Sequence, residues 1–309
     1  MADIEVKRQI EPEDLSALSE LLSSAAEADS HAPLGEHAWL DLVQGGREGF
    51  AGLVAWEPRH PHPVGYAQLS RGDGPGQPHQ WALELVVDPH HRTPGNTVAR
   101  DLLQYALALV AREGGGHLHL WVSQPSPVQD RTAVGVGLAP GRVLYQMRRP
   151  LPAEGEATIV TRPFRVGHDE TAWLEVNNRA FARHPEQGGW TSKTLEARKA
   201  QPWFDPKGFL MYEEGGRLAG FCWTKVHGTG AHRVGEIYVV AVDPGFAGRG
   251  LGSQLTLAGL GHLSDEGIAE AMLYVDATNR SAVKMYVDMG FVVNHIDRAY
   301  TADITAAPT

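Results

Sequence analysis

The chain has 309 residues, a formal net charge of −10 and one cysteine, Cys222. Its length suggests about two domains, and its acidic balance argues against a nucleic-acid-binding protein, which needs a basic face. A single cysteine excludes an intrachain disulfide and argues against a thiolate zinc site, so we expect Cys222 to be a small buried apolar residue. The amino terminus has no signal-peptide pattern, and no apolar run reaches the roughly 20 residues that span a bilayer. We therefore expect a cytoplasmic protein that does not bind membranes.

The first half of the chain alternates between predicted strands and helices. After a short initial strand, we predict a helix over 14–28, strands over 52–56 and 65–69, a helix over 98–113 and a strand over 117–122. Asp88-Pro89 ends a β-branched run, and Gly95 lies in the turn that precedes the second helix. Gly137-Leu138 and a strand through Arg149 close this half.

The second half repeats this order. We predict a helix over 170–182, strands over 209–213, 218–226 and 234–240, a helix over 254–263 and a strand over 272–275. Asp243 and Gly250 each lie 155 residues after their counterparts Asp88 and Gly95. Gly290-Phe291 follows Gly137-Leu138 by 153 residues. A period this long indicates a domain duplication and not a solenoid.

The proline- and glutamate-rich segment 150–157 is typical of a linker. We therefore predict one domain over residues 1–150 and a second over 158–309. Alternating strands and helices with hairpins favour an α/β (α+β) fold over a doubly wound parallel sheet. In each domain we expect a mixed, mostly antiparallel sheet flanked by helices.

The most informative segment is the one that leads into the helix at 254–263. A β-branched strand ends at Asp243-Pro244 and is followed by the sequence Ala-Gly-Arg-Gly-Leu-Gly over 247–252. Consecutive backbone N–H groups at a helix N-terminus form a concave anion site, and glycine lets a pyrophosphate approach the main chain closely. Because a glycine-rich turn with no ligand can have the same sequence, the residues downstream decide between the two interpretations.

Downstream, the strand over 272–275 leads to Asn279, which has helix N-cap chemistry, and then to a short helix that carries Tyr286 and ends at Gly290-Phe291. The two motifs in this order resemble the GCN5-related N-acetyltransferases (GNAT), whose pyrophosphate loop reads Arg/Gln-x-x-Gly-x-Gly/Ala. Ala247 stands where the family usually has Arg or Gln. The resemblance implies two tandem GNAT-type domains, acetyl-CoA as the co-substrate and no metal.

The resemblance also assigns acetyl-CoA contacts. In the second domain they are Val240, Ala241, Val242, Ala247, Gly248, Arg249, Gly250, Leu251, Gly252, Ser253, Asn279, Arg280, Ser281, Ala282, Val283 and Lys284. In the first domain they are Leu85, Val86, Val87, Arg92, Thr93, Pro94, Gly95, Asn96 and Thr97. This first loop keeps one glycine of the pattern, and its proline removes an N–H donor. It is either a remnant retained for packing or a site that binds the cofactor, or part of the substrate, without turnover.

N-acetyl transfer needs a base for the attacking ammonium, N–H donors at the thioester oxygen and an acid for the departing thiolate. The resemblance points to Glu236 as the base and Tyr286 as the acid. Glu236 lies four residues before Val240, on the same strand face if no bulge intervenes. Because a carboxylate is a weaker base than an amine, this role requires desolvation or a relay.

The duplication allows the two halves to be compared. Shifted by the repeat distances, Glu236 falls on Trp81 and Tyr286 falls on Ala133. Neither tryptophan nor alanine can act as a base or an acid. A one-residue slip would bring Glu84 into play. We therefore expect catalysis in the second domain.

The octapeptide over 184–191 and the segments around Trp203 and Trp223 resemble one branch of tandem GNAT enzymes over essentially the whole chain. That branch acetylates the cysteinyl amine of cysteinyl-glucosaminyl-inositol by direct attack in a ternary complex. The resemblance implies substrate contacts at Glu36, Glu186, Lys225, Glu236 and Tyr274.

The residues themselves leave several of these contacts open. Glu36 and Glu186 lie beside glycines in predicted loops, where a carboxylate can accept hydrogen bonds from sugar hydroxyls or is simply solvated. Lys225 is either a donor in a cleft or a solvent-facing strand residue. Tyr274 is either a ligand or a packed core tyrosine.

Two other functions fit the same residues. The first is a tandem acetyltransferase for another primary amine, such as a peptide N-terminus or an aminoglycoside. The second is a non-catalytic regulator that binds acyl-CoA, and intact Glu236 and Tyr286 argue against it. For any of the enzymes we expect a monomer that binds acetyl-CoA and a small-molecule amine.

Overall fold

The computed structural model describes residues 2–29, 31–58, 60–72, 79–93, 95–182 and 187–308. The chain forms two compact units. Unit 1 contains Met1–Val143 and Ile296–Thr309, and unit 2 contains Leu144–His295.

Unit 1 alternates between strands and helices in the predicted manner. Its elements are β1 (Asp3–Lys7), α1 (Pro12–Asp29), α2 (Glu36–Val43), β2 (Phe50–Trp56), β3 (Gly65–Gly72), β4 (Gln80–Val87), α3 (Val98–Arg112), β5 (Gly116–Ser123) and α4 (Pro127–Gly135). Strand β6 (Ala139–Pro150) follows, and its residues from Leu144 onward belong to unit 2.

Unit 2 repeats the plan. Its further elements are β7 (Arg162–Pro163), α5 (Glu170–Ala180), α6 (Ser192–Lys199), β8 (Phe209–Glu214), β9 (Arg217–His227), β10 (Val234–Val242), α7 (Leu251–Asp265), β11 (Glu270–Asp276) and α8 (Arg280–Asp288). The last strand, β12 (Val292–Ile304), begins in unit 2, and its residues from Ile296 onward belong to unit 1.

Each unit has a six-stranded sheet. The strand order is β1-β2-β3-β4-β5-β12 in unit 1 and β7-β8-β9-β10-β11-β6 in unit 2. The pairs β4–β5 and β10–β11 are parallel, and the other pairs in each sheet are antiparallel. The prediction of a mixed, mostly antiparallel sheet flanked by helices is confirmed.

In each unit, one of the six strands comes from the other half of the sequence. Residues 144–150 of β6 pair with β11, and residues 297–304 of β12 pair with β5. The compact units therefore interleave along the chain, which differs from the two linear domains predicted on either side of segment 150–157. A strand whose partner lies far away in sequence has the same local pattern as one that pairs nearby, so the sequence alone gave no sign of the exchange.

Helices pack on both faces of each sheet. In unit 1, α3 and α4 bury one face of the sheet, in a core that includes Leu83, Leu102 and Ala106. Helices α1 and α2 bury the other face, in a core that includes Leu21, Leu42 and Val54. In unit 2, α7 and α8 bury one face of the sheet, in a core that includes Leu255, Leu263 and Leu273. Helices α5 and α6 bury the other face, in a core that includes Trp173, Leu195 and Phe221. Each leucine, valine or phenylalanine among these side chains contributes about 1.5–3 kcal/mol on burial, and the two packed faces hold the loops at the ends of the strands in place.

The predicted helices and strands are present within a few residues of their expected bounds. Three helices were not predicted: α2, α4 and α6, which have only eight or nine residues each. An apolar periodicity is difficult to recognise over so few residues. In the described part of the chain, every helix is too short or too polar to traverse a lipid bilayer.

The loops before α3 and α7 share a local structure. Asp88 and Asp243 each precede a short 3-10 helix that begins with proline, and each carboxylate accepts a hydrogen bond from the N–H two residues later at 2.8 Å. The same contact at the same repeat distance supports the duplication. Because α3 and α7 begin at residues 98 and 251, however, the loop of unit 1 is two residues longer.

Candidate active site

The loop before α7 forms an open backbone cradle. Gly248 and Gly250 have φ values of +78° and +74°, a left-handed conformation that glycine adopts without strain. A Cβ atom built on either residue would have no neighbour within 4 Å, so the space beside both is open. Gly250 caps α7 without a side-chain hydrogen bond. The first N–H groups of the helix are therefore directed at a space that an anion can occupy.

Strand β10 leads into this cradle and separates from β11 on the way. The parallel pairing covers only Gly235↔Ala271 and Glu236↔Met272, although both strands continue. The edge of β10 from Ile237 onward has no ladder partner on the β11 side among the described residues. Alternate N–H groups of this edge, which includes 240–242, can donate to an acceptor in the gap.

A β-bulge interrupts β10. The register with β9 shifts by one residue between Ile237 and Val239, so Tyr238 is the extra residue. The expectation that Glu236 and Val240 share a strand face is therefore wrong, because the condition of an unbroken strand is not met. Ile237 and Val240 pack in the α7 cluster, whereas Glu236 lies on the α5–α6 face of the sheet.

Glu236 is a buried carboxylate at the point where β10 and β11 separate. Its side chain is 10% exposed, and its Oε2 lies 2.6 Å from Nε2 of His227 on β9. Lys225 is its direct cross-strand neighbour. A carboxylate with so little water around it attracts an ammonium group more strongly than an exposed one does.

Lys225 lies on the same face, over aromatic rings. Its Nζ is 4.4 Å from the ring centre of Trp203 and 5.1 Å from that of Tyr238. Both rings also contact Trp223, and the three rings form an aromatic floor. The ammonium group is thus held by cation–π contacts and is not an ordinary solvent-facing strand residue.

Tyr274 is 42% exposed, so it is not a packed core tyrosine. It lies two residues after the β11 partner of Glu236 and therefore shares its face. Its hydroxyl accepts a hydrogen bond of 2.9 Å from Nε2 of Gln146 on β6. Oε1 of Gln146 accepts from Arg148 at 2.9 Å and from Asn294 at 3.0 Å. This network fixes the orientation of the Gln146 amide and places Tyr274 at the open face.

Tyr286 lies on the other side of the sheet. It is 6% exposed, its ring packs 5.8 Å from that of Phe291, and burial raises its pKa well above the ordinary value. The phenol therefore keeps its proton at neutral pH. Cys222 belongs to the same buried cluster, and burial raises the pKa of its thiol to about 12. The expectation that Cys222 is a buried residue is confirmed, and a thiol in this state is a poor nucleophile.

Asn279 is the N-cap of α8, as predicted. Its Oδ1 accepts from the N–H of Ala282 at 3.2 Å and from the hydroxyl of Ser281 at 3.0 Å. Since α8 directly follows β11, this largely exposed segment borders the gap beside β10. Arg249 in the cradle forms a bidentate ion pair with Glu214, at 2.8 and 3.0 Å.

In the corresponding loop of unit 1, a side chain accepts a hydrogen bond from a backbone N–H group at the start of α3. Oδ1 of Asn96 accepts from the N–H of Val98 at 2.9 Å. Asp101 adds a negative charge to the first turn of α3, whereas α7 has no acidic residue there. An occupied N–H group and an added carboxylate both disfavour the binding of a phosphate.

Arg92 and Gly95 complete this loop. Arg92 forms a bidentate ion pair with Asp29, at 2.5 and 2.9 Å. Gly95 has a φ of +91° and open space around its Cβ position. Gly95 lies three residues before α3, and Gly248 lies three residues before α7. Counted from the helix starts, Gly95 therefore corresponds to Gly248, two residues before the predicted counterpart Gly250.

Strand pairing aligns the two halves around the base. In unit 2, Glu236 on β10 pairs with Lys225 on β9. Lys225 lies 155 residues after Ser70 on β3, and Ser70 pairs with Ala82 on β4. Because the bulge adds one residue to β10, Glu236 corresponds to Ala82, and the predicted match with Trp81 is wrong by one position. Alanine, like tryptophan, offers no base.

The residue of unit 1 that corresponds to Tyr286 cannot act as an acid either. Helices α4 and α8 begin 153 residues apart, so Tyr286 corresponds to Ala133, as predicted. Glu84 pairs with Gln68, two positions beyond Ala82 along β4, and so does not take the place of the base. In the described structure, unit 1 therefore lacks both groups at the matching positions.

The remaining predicted contacts lie elsewhere. Glu36 is the first residue of α2 in unit 1 and not a loop residue. A Cβ on the preceding Gly35 would lie 2.9 Å from Oε1 of Glu84, so α2 begins beside β4. Glu186 and Pro94 lie outside the described residues. Among the residues that are described, no three His, Cys, Asp or Glu side chains are arranged to hold a metal ion.

Sequence reasoning gave no role to His227 or Gln146. His227 lies two residues after Lys225 in one strand, and this spacing could have placed both on one face with Glu236. Gln146 had no such signal, because β6 reaches β11 only through the exchange of strands.

Comparisons with known proteins concern the family of the chain. A family model described as the acetyltransferase (GNAT) family matches residues 172–291. The chain is 43% identical over 284 residues to the mycothiol acetyltransferase of Acidimicrobium ferrooxidans, with 90% of each chain covered. It is 43% identical over 297 residues to that of Thermobispora bispora, with 94% of this chain and 96% of the relative covered.

Solved structures show the same fold. A tandem GNAT protein from the clavulanic acid biosynthesis pathway has a TM-score of 0.70 at 16% identity, with 99% of this chain and 100% of that one covered. A GCN5-related N-acetyltransferase from Sphaerobacter thermophilus has a TM-score of 0.68 at 23% identity, with 99% and 97% covered. At these identities the likeness concerns the fold alone, and it agrees with the two tandem GNAT-type units.

Proposed function

The chain belongs to the mycothiol acetyltransferase family and is an acyltransferase, and we propose that it transfers the acetyl group of acetyl-CoA to the cysteinyl amine of cysteinyl-glucosaminyl-inositol. One observation carries the proposal: buried Glu236 lies where β10 and β11 separate, on the strand that leads into the open cradle. A buried carboxylate, an open strand edge and an open backbone loop lie on consecutive parts of one strand and loop, which supports these roles.

The backbone of unit 2 fits acetyl-CoA, which supplies the acyl thioester. The N–H groups from Gly248 to the first turn of α7 would hold the pyrophosphate, because Gly250 caps the helix without a side-chain hydrogen bond and the space beside Gly248 and Gly250 is open. The open edge of β10 at 240–242 would donate to the carrier arm and to the thioester oxygen. The segment from Asn279 to Lys284 would line the opposite side.

Glu236 would act as the general base. An α-ammonium group must lose a proton before its nitrogen can attack a thioester, and the proton passes to the carboxylate. The nitrogen then forms the new C–N bond directly, and the negative charge that develops on the thioester oxygen is stabilised by N–H groups of the β10 edge.

Tyr286 would act as the acid. The phenol is protonated at neutral pH, so it can donate a hydrogen bond to the sulfur when the C–S bond breaks. Burial raises its pKa, which favours this hydrogen bond over complete proton transfer. Since thiols ionise near pH 8.5, the departing thiolate needs only modest help. We expect Tyr286 to contribute less to the rate than Glu236.

Lys225 and Tyr274 would bind the amine substrate. Both lie on the face of Glu236 and carry groups suited to sugar hydroxyls and amide oxygens. The family resemblance adds Glu36 and Glu186 to this set. Unit 1 would not catalyse transfer, because Ala82 and Ala133 occupy the positions of the base and the acid.

A panel of amines with acetyl-CoA tests the substrate. It contains cysteinyl-glucosaminyl-inositol, glucosaminyl-inositol without cysteine, a peptide with a free N-terminus and an aminoglycoside. Because the first of these carries its own thiol, acetylated products should be followed by mass spectrometry and not by thiol release alone. We expect efficient turnover of the cysteinyl compound and little of the others.

Preferred turnover of the peptide or the aminoglycoside would replace the proposed substrate. Acetyl-CoA binding without turnover of any amine would indicate a regulator. The matched control is Glu236→Gln, which keeps the size of the side chain and removes the base.

A further inference from the structure

His227 holds the carboxylate that the proposed function uses as the base. We propose that His227 is a positioning residue: its Nε2–H binds Oε2 of Glu236 and leaves Oε1 free to take the proton of the amine. This inference rests on the proposed role of Glu236 and adds to it a second residue that sets the geometry of proton removal.

The geometry of the pair is well defined. Nε2 of His227 lies 2.6 Å from Oε2 of Glu236, and the two side chains are 37% and 10% exposed. His227 pairs with Val234, two residues before Glu236, so the two side chains meet diagonally across β9 and β10 on one face. An ionised carboxylate only accepts hydrogen bonds, so the proton of this bond belongs to the imidazole. Hydrogen bonds of this charge-assisted kind are roughly twice as strong as neutral ones.

The pair also explains how the base stays aligned next to an irregular strand. The bulge at Tyr238 follows Glu236 within two residues and interrupts the regular ladder there. The neighbouring cation, Lys225, lies over Trp203 and Tyr238. A glutamate side chain has several rotatable bonds, and the bond from His227 selects the conformation in which one oxygen is held and the other is open.

The turn before β10 supplies a control for the loss of an imidazole. His232 lies in the short 3-10 helix of that turn and is exposed. Its substitution removes an imidazole without removing the hydrogen bond to Glu236.

The experiment compares His227→Ala, His227→Gln and His232→Gln with the wild type and with Glu236→Gln, measuring kcat and both KM values from pH 5.5 to 9. Loss of a hydrogen bond to a charged group should lower kcat of His227→Ala by on the order of 10- to 100-fold. His227→Gln keeps an N–H donor, so its kcat should stay within a few-fold of wild type. Among the described residues neither side chain of the pair has a hydrogen bond to the cradle, so the KM for acetyl-CoA should change much less than kcat in every variant.

Rescue by the conservative variant separates positioning from a structural role. His232→Gln should have the kcat of the wild type. A kcat of His227→Ala within twofold of wild type, or an equal loss in His227→Gln, would overturn the inference. If Glu236→Gln is inactive while His227→Ala is normal, only this inference fails. If Glu236→Gln is fully active, the proposed base itself is wrong.

Discussion

Tryptophan substitution of matched glycines provides a stringent test of the division between the two units. Gly250 and Gly95 have φ values of +74° and +91°, and a Cβ on either has no neighbour within 4 Å. A non-glycine residue in this conformation costs about 1–2 kcal/mol, and its Cβ meets no neighbouring atom. For units of this size, 1 kcal/mol corresponds to about 2–4 °C in Tm. Gly250→Trp and Gly95→Trp should therefore destabilise the protein to a similar, small extent.

Their effects on activity should differ strongly. An indole at Gly250 would occupy the space beside the uncapped N–H groups of α7, where we place the pyrophosphate. We expect this variant to lose acetyl transfer almost completely and to lose acetyl-CoA binding with it. In unit 1, Asn96 already occupies the N–H of Val98, so Gly95→Trp should leave kcat within a few-fold.

The assay combines initial rates over a range of acetyl-CoA concentrations, calorimetric titration of CoA and thermal unfolding of each variant. Gly248→Trp is a useful third variant, because Gly95 aligns with Gly248 when the helices are counted from their starts. The reasoning is refuted if Gly95→Trp abolishes activity in a folded protein while Gly250→Trp and Gly248→Trp do not. Equal loss in all three variants would mean that both cradles serve the reaction.

Three further predictions concern titratable side chains. Glu236→Gln should lower kcat/KM by on the order of 10²–10⁴, with a smaller loss at high pH where the amine is already neutral; a normal rate at pH 7 would remove this residue from the mechanism. Tyr286→Phe should lower mainly kcat, by less than the loss of the base; an unchanged kcat would leave it a packing residue. Burial alone would raise the pKa of Asp169, but hydrogen bonds from Arg162 and from the backbone of Arg165 lower it from 3.8 to about 2. Because the pKa of Asp169 is lower in the folded than in the unfolded protein, its ionised carboxylate stabilises the fold by about 2–3 kcal/mol at pH values above the unfolded-state pKa. This contribution disappears as the pH falls towards 2. Asp169→Asn should therefore lower the Tm at pH 7 and differ little from wild type in acid.

The sequence by itself determined the features that depend on neighbouring residues. The cap of α8 by Asn279 and the turns at Asp88 and Asp243 are made by hydrogen bonds across two or three residues, so the local sequence specifies them. The glycine cradle before α7 is local in the same sense, because left-handed backbone at Gly248 and Gly250 follows from the residue type.

The repeat distances gave the correct partner for Tyr286 and failed for Glu236. The corresponding helices α4 and α8 begin 153 residues apart, which is the repeat distance read from the sequence, so counting residues from Tyr286 reaches Ala133 correctly. In β10 one inserted residue forms the bulge at Tyr238, and counting reaches Trp81 where the structure has Ala82. A bulge is recognised only when the register with the neighbouring strand is known.

Tertiary structure alone decided which residues surround the base and where each unit ends. His227 meets Glu236 because β9 and β10 pair in one particular register, and Gln146 reaches Tyr274 because β6 pairs with β11 across the strand exchange. Strands alternate their side chains with a period of two whichever partner they have, so the sequence of a strand specifies its faces but not its neighbours.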